Sequence, residues 1–157
     1  MSNTQWCTPV TLFKLLDDVH CDDGAFSVDA SMIKQILTED LMQLLNSQPP
    51  ELPCLTREEP LIESSVLNYG LGITIGEAIS SQCFPQIERA IKTAIIRFEP
   101  RIDSQTLTVS VASLGTPAHS MSQLTLTITA QILFYPQNIT LHLAGTYDTA
   151  SAKAWFE

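Results

Sequence analysis

The chain has 157 residues, of which 45% are hydrophobic, and it carries 17 acidic against 8 basic side chains, a formal net charge of −9. A chain of this length can bury a core of its own as one domain without the help of metals or disulfides. The acidic balance argues against DNA, RNA and anionic lipid surfaces as partners, because binding to phosphates needs clustered cations.

The first half of the chain predicts helices. We expect a flexible start at residues 1–9 and one domain over residues 10–157, opening with a short amphipathic helix at 10–19. A longer helix is predicted at 29–46, since its apolar residues recur every three or four positions. These residues are Met32, Ile33, Ile36, Leu37, Leu41, Leu44 and Leu45.

A proline-rich segment separates this helix from the next one. Residues 47–62 hold four prolines and three acidic residues, which is typical of an extended loop on a surface. The pattern is also compatible with a short helix at 74–81. A helix is predicted at 85–98, because Pro85 suits a first helical position and Pro100 disfavours helical geometry at the residue before it.

Beyond Pro100 the hydrophobic period changes to two. Apolar residues alternate with threonines and other polar residues in three stretches, near 107–111, 124–132 and 139–144, and residues 151–156 can add a short last strand. Residues 136–138 favour a tight hairpin turn, and 114–122 form a longer connection. The fold class predicted is therefore α+β, with N-terminal helices packed on a small C-terminal antiparallel sheet of three to four strands.

Cysteine spacing and the N-terminus bear on location. Cys7, Cys21, Cys54 and Cys83 form no C-x-x-C pair, so no metal site and no cofactor are expected. Residues 1–10 lack the regions of a signal peptide, and no apolar run reaches the roughly 20 residues that span a bilayer. We expect a cytoplasmic protein that is not inserted in a membrane.

Four of the eight cations lie between residues 89 and 101, around the triplet Glu99-Pro100-Arg101. If Pro100 keeps the backbone extended, Glu99 and Arg101 project to the same side and can form an ion pair. One reading is a solvated pair at the end of a helix, which contributes at most about 1 kcal/mol. The other is a binding corner in which Arg101 grips a partner's carboxylate or carbonyl groups.

The sequence around this triplet resembles the gene-25-like family, which includes the TssE baseplate subunit of type VI secretion systems and a wedge protein of contractile-tailed phages. The resemblance is carried by the stretch IIRFEPRI after an amphipathic helix and by VLNYGL about thirty residues earlier. Gly72-Ile73 stands where the family has Pro-Asp. The resemblance covers roughly residues 11–150.

Membership would imply a structural role, and the residues of the motif, discussed below, lead us to expect no enzymatic activity. The resemblance implies a place in the baseplate wedge with TssF, TssG and TssK, next to the first ring of the TssB/TssC sheath, in an assembly docked at the membrane. It also assigns protein-binding roles to matching positions: Glu99, Pro100, Arg101, Arg97, Asn68 and Tyr69.

Two alternatives remain at this point. One is a lysozyme-like peptidoglycan hydrolase, which needs two facing carboxyl groups, one of them protonated. Arg101 would instead keep Glu99 ionised, and no second carboxylate of the motif faces it, so no catalytic residue is assigned. The other is an adaptor that binds a peptide along an edge strand. The candidate is the last strand, near 139–156, because residues 139–147 carry no charge.

Overall fold

The computed structural model describes residues 30–49, 65–72, 83–113, 123–134 and 137–156. Within them, helix α1 spans Ala30–Asn46, a single 3₁₀ turn spans Val66–Asn68, and helix α2 spans Phe84–Phe98. The two long helices are confirmed, each within one residue of its predicted start. The helices predicted at 10–19 and 74–81, the connection at 114–122 and most of the loop at 47–62 lie outside the described residues.

Four strands form one antiparallel sheet. They are β1 (Thr108–Ser113), β2 (Gln123–Ile132), β3 (Ile139–Asp148) and β4 (Lys153–Phe156), and they lie side by side in chain order. The period-two pattern thus gives the predicted meander, and the short last strand is present. The α+β prediction is confirmed: both helices precede the sheet along the chain and pack on it.

The core lies between the helices and one face of the sheet. Register places Val111 opposite Leu126 and Ile128 opposite Leu143, so alternate residues of each strand form one apolar face. Helix α2 packs mainly against β1 and α1 mainly against β4, and the helices also contact each other. Among the described ranges, no helix has the length and apolar character needed to cross a membrane.

The predicted edge near 139–156 folds as two strands, β3 and β4, of which β4 is the outer one. The uncharged stretch at 139–147 lies in β3, which pairs with β2 along its whole length and with β4 from Gly145 to Asp148. Strand β3 is therefore internal over its second half. Its first half, Ile139–Ala144, has no strand opposite it on the β4 side among the described residues.

At both outer edges of the sheet, a side chain from a helix forms hydrogen bonds with the backbone of the edge strand. The Asn46 amide at the end of α1 donates to the Ala154 carbonyl at 3.2 Å and accepts from the Ala154 N–H at 2.6 Å, as a neighbouring strand would. On the other side, the Glu88 carboxylate of α2 accepts from the N–H of Val111 in β1 at 2.8 Å. Both contacts blunt an edge that could otherwise recruit another chain.

A glycine joins the segment 65–72 to the end of α1. Gly70 is buried with φ +128°, and a Cβ there would lie 2.4 Å from the Ser47 carbonyl oxygen. The next residue, Leu71, donates its N–H to that same oxygen at 2.8 Å. Only glycine combines this backbone conformation with so close an approach.

Candidate functional site: a buried ion-pair corner beside a basic groove

The Glu99-Pro100-Arg101 triplet forms the corner between α2 and the sheet. The Glu99 N–H donates to the Ile95 carbonyl at 2.8 Å, which ends the helix. Past the exposed Pro100, the Arg101 carbonyl accepts from the N–H of Leu133 at 2.8 Å, and Ile102 forms a bridge with Ile132. Residues 101–103 thus run antiparallel to the end of β2, so the corner is fixed at both of its ends.

The side chains of this corner form a three-membered ion network. Arg101 Nε donates to Glu99 Oε1 at 2.6 Å and Arg101 Nη2 to Glu99 Oε2 at 2.5 Å, a two-point contact. Arg101 Nη2 also donates to Asp40 Oδ2 at 2.5 Å. Asp40 lies on α1, so one guanidinium connects α1, the end of α2 and the start of the sheet. We call Asp40, Glu99 and Arg101 the triad.

The triad is largely covered. Glu99 is only 6% exposed, and the side chains of Arg101 and Asp40 are 19% and 23% exposed. The hydrogen bonds that Arg101 donates to Glu99, together with its contact with Asp40, outweigh burial and raise the pKa of Arg101, so its positive charge is fixed. The prediction that Glu99 and Arg101 share a side is confirmed, whereas the solvated-pair reading is wrong because the helix end packs against α1.

Tyr69 packs beside the triad. Its ring meets that of Phe98 edge to face, with centroids 5.3 Å apart and an angle of 66° between the planes. Burial, and then the negative charges of Asp40 and Glu99, raise the pKa of Tyr69. Tyr69 is thus a partly buried contact between the segment 65–72 and the end of α2, next to the triad.

Asn68 and Arg97 lie on a different feature, a groove along α2. It encloses about 400 Å³, and we call it the α2 groove. One wall is a face of α2 and the other is formed by the segment 65–72 and Pro49. Its described lining is Pro49, Asn68, Gly70, Gly72, Gln86, Arg89, Ala90, Thr93, Ala94, Arg97 and Phe98.

Sequence reasoning missed two members of the corner. Asp40 is 61 residues from Arg101 along the chain, and in the sequence it is only one of two adjacent acids on the polar face of an amphipathic helix. Leu133, which holds the Arg101 carbonyl, follows the last residue of β2 and is 51% exposed. The sequence signal for Leu133 is that it is apolar although the alternation along β2 predicts a polar residue at its position.

The triad does not have the geometry of a glycosidase. Both oxygens of Glu99 accept hydrogen bonds from Arg101, and Asp40 binds the same guanidinium. A glycosidase needs one carboxyl group that carries a proton and a second across an open cleft. Here one guanidinium binds both acids, so they do not face each other across an open cleft. Within the described ranges, no three His, Cys, Asp or Glu side chains are grouped so as to hold a metal ion.

Comparison with known proteins supplies the family. The family model of the baseplate wedge protein gp25 matches residues 31–137, well over half of the chain. The matched region holds α1, the NYG segment, α2, the corner and β2. No curated protein and no solved structure matches the chain. The family is one of structural baseplate proteins, and the chain belongs to it.

Proposed function

We propose that this chain is a structural wedge component of a type VI secretion baseplate and not an enzyme. In this role it bridges the wedge subunits TssF, TssG and TssK and the start of the TssB/TssC sheath, in a cytoplasmic assembly docked at the membrane. The observation that carries the proposal is the Glu99-Pro100-Arg101 corner, which lies inside the region matched by the family model and is fixed by the triad.

The proposed docking surface is a rigid corner whose outer parts face solvent. Pro100 is exposed at its tip, and exposed Leu133 lies opposite Arg101. Within the described residues Arg101 uses Nε and Nη2, so the two hydrogens on Nη1 remain to bind a carboxylate or carbonyl group of another subunit. The triad fixes this shape before binding, which lowers the entropy cost of association.

The sheet supports a second contact, toward the sheath. Alternation along β3 directs the backbone N–H and C=O groups of Thr140, His142 and Ala144 away from β2 and past the end of β4. The side chains of these three residues are exposed. A strand from another subunit can pair there, in line with β4. In this way the edge-strand binding expected of an adaptor would serve the baseplate role.

Reconstitution of the wedge tests the proposal. The chain is co-purified with TssF, TssG and TssK as wild type and as Arg101→Ala. Because Arg101→Ala also weakens the fold, a variant with a similar loss of stability away from the corner and from the open edge of β3, such as Leu126→Ala in the internal strand β2, serves as the matched control. We expect the wild type and the control to enter the complex and Arg101→Ala to be left out. Equal incorporation of all three would refute the role of the corner, and failure of the wild type would refute the wedge assignment.

A hydrolase assay tests the alternative. Peptidoglycan is incubated with the wild type and with Glu99→Gln, and we expect no turnover by either. Hydrolysis by the wild type that is lost in Glu99→Gln would overturn the structural assignment.

A further inference from the structure

We infer that the α2 groove is a second docking site, and that its occupant is an acidic peptide segment of another wedge subunit. This rests on the proposed function and on the family resemblance, which implies protein-binding roles for Arg97 and Asn68, and it adds the chemistry of the partner. The triad and the α2 groove share the end of α2, but different side chains form them.

The charge of the groove differs from that of the molecule. The chain has 17 acidic and 8 basic side chains, yet the described lining contains two arginines and no acid. Arg89 and Arg97 are separated by eight residues of α2, about 12 Å along the helix axis. A positive groove on a negative protein favours a negatively charged ligand and disfavours another copy of the same chain.

The size of the groove suits a peptide. Its helical wall runs from Gln86 to Phe98, about 18 Å at 1.5 Å per residue. That length takes about three turns of helix or five to six residues of extended chain. Two carboxylates about 12 Å apart, seven or eight residues apart on a helix or about four apart on a strand, would meet both arginines.

The remaining lining provides polar and apolar contacts for a peptide. Asn68 and Gln86 carry amide groups that can donate to and accept from a peptide backbone. The small side chains of Ala90 and Ala94 leave room above α2, and Phe98 provides an aromatic surface at one end of the groove. Arg97 is half-buried in the last turn of α2, where the helix dipole also favours a cation. An arginine at this position adds positive charge to the described lining of the groove.

The test uses charge reversal with a matched control on the same helix. Arg89→Glu with Arg97→Glu reverses the groove, while Lys92→Glu reverses an exposed cation of α2 that does not line it. Thr93→Trp fills the groove without a change of charge. Circular dichroism establishes that each variant is folded. Binding to purified TssF–TssG is then measured at about 50 and 200 mM salt, over which screening increases.

We expect the double reversal and Thr93→Trp each to weaken binding about tenfold or more, and Lys92→Glu to change it less than about twofold. The loss for the double reversal should shrink at the higher salt. If wild-type chain binds and all three variants bind equally well, the inference is wrong while the wedge assignment stands. If the wild type does not bind, the proposed function itself fails.

Photo-cross-linking identifies the occupant. A benzophenone amino acid replaces Gln86 at the mouth of the groove, and the cross-linked peptide is identified by mass spectrometry in the reconstituted wedge. We expect an acidic segment of TssF or TssG. Cross-links confined to residues of the same chain, or to a peptide without acidic residues, would overturn the inference.

Discussion

Removal of the guanidinium of Arg101 is the most informative perturbation of the fold. Arg101→Ala leaves Glu99, which is 6% exposed, and Asp40 without their shared cation. Loss of one partner of a buried ion pair costs about 3–5 kcal/mol, whereas an exposed pair contributes about 1 kcal/mol or less. Because Arg101 and Asp40 keep about a fifth of their side-chain surface exposed, solvent screens part of the cost. We therefore expect about 3 kcal/mol.

Urea unfolding followed by circular dichroism measures this loss. Arg89→Ala removes the same side chain from an exposed position on α2 and should cost less than about 0.5 kcal/mol. Glu99→Gln in the Arg101→Ala background removes the unpaired charge, so the double variant should be at least as stable as Arg101→Ala alone. A loss of stability below about 1 kcal/mol for Arg101→Ala would refute the buried network. So would a double variant whose loss equals the sum of the losses of the two single variants.

Three further changes test the surroundings of the corner. Gly70→Ala should lower the free energy of unfolding in urea by about 3 kcal/mol, because φ is +128° and the new Cβ meets backbone atoms. Gly72→Ala should cost less than about 1 kcal/mol, since the nearest contact of its new Cβ is a side-chain carbon at 3.4 Å. Equal costs would contradict the described turn. Asn46→Ala removes both hydrogen bonds to Ala154 and should cost about 1–2 kcal/mol and speed amide exchange at Ala154; unchanged exchange would contradict the edge contact. Burial and two nearby carboxylates raise the pKa of Tyr69, so the folded state keeps a proton that the unfolded state loses as the pH rises through about 10. Stability should therefore fall above that pH, and Tyr69→Phe should reduce the fall; an identical alkaline loss in both proteins would exclude Tyr69 as its source.

Local patterns predict the elements of this fold well. Apolar spacing in α1 and α2 and strict alternation in β2 and β3 each belong to one secondary structure, and both faces agree with the core that forms between them. Pro100 marks the end of α2 for a local steric reason. These features are decided within a few residues of chain, so no knowledge of the tertiary structure is needed to find them.

The contacts that complete the site depend on long-range packing. Asp40 binds Arg101, Asn46 binds Ala154, and Glu88 binds Val111. The partners differ in residue number by 61, 108 and 23. Each is a polar side chain on a helix whose partner is set only when the helix packs on the sheet. Periodicity assigns such residues to a helix surface, but it does not reveal which backbone group or charge lies opposite.

The same limit applies to the edge of the sheet. The uncharged stretch at 139–147 has the composition of an edge that needs cover, and a third of it is covered by β4, a strand of only four residues. Asn46 then closes part of the β4 edge from outside. The open stretch is thereby reduced to the first half of β3, which narrows where a partner strand can add.

The central claim is that an internally fixed corner presents Pro100 to another baseplate subunit. Pro100 is exposed, and its replacement leaves the triad in place, so Pro100→Ala should change stability by less than about 1 kcal/mol. The decisive measurement is the dissociation constant of purified TssF–TssG for the wild type and for Pro100→Ala. The account predicts binding by the wild type that is about tenfold weaker in the variant, and equal dissociation constants for the two folded proteins would contradict it.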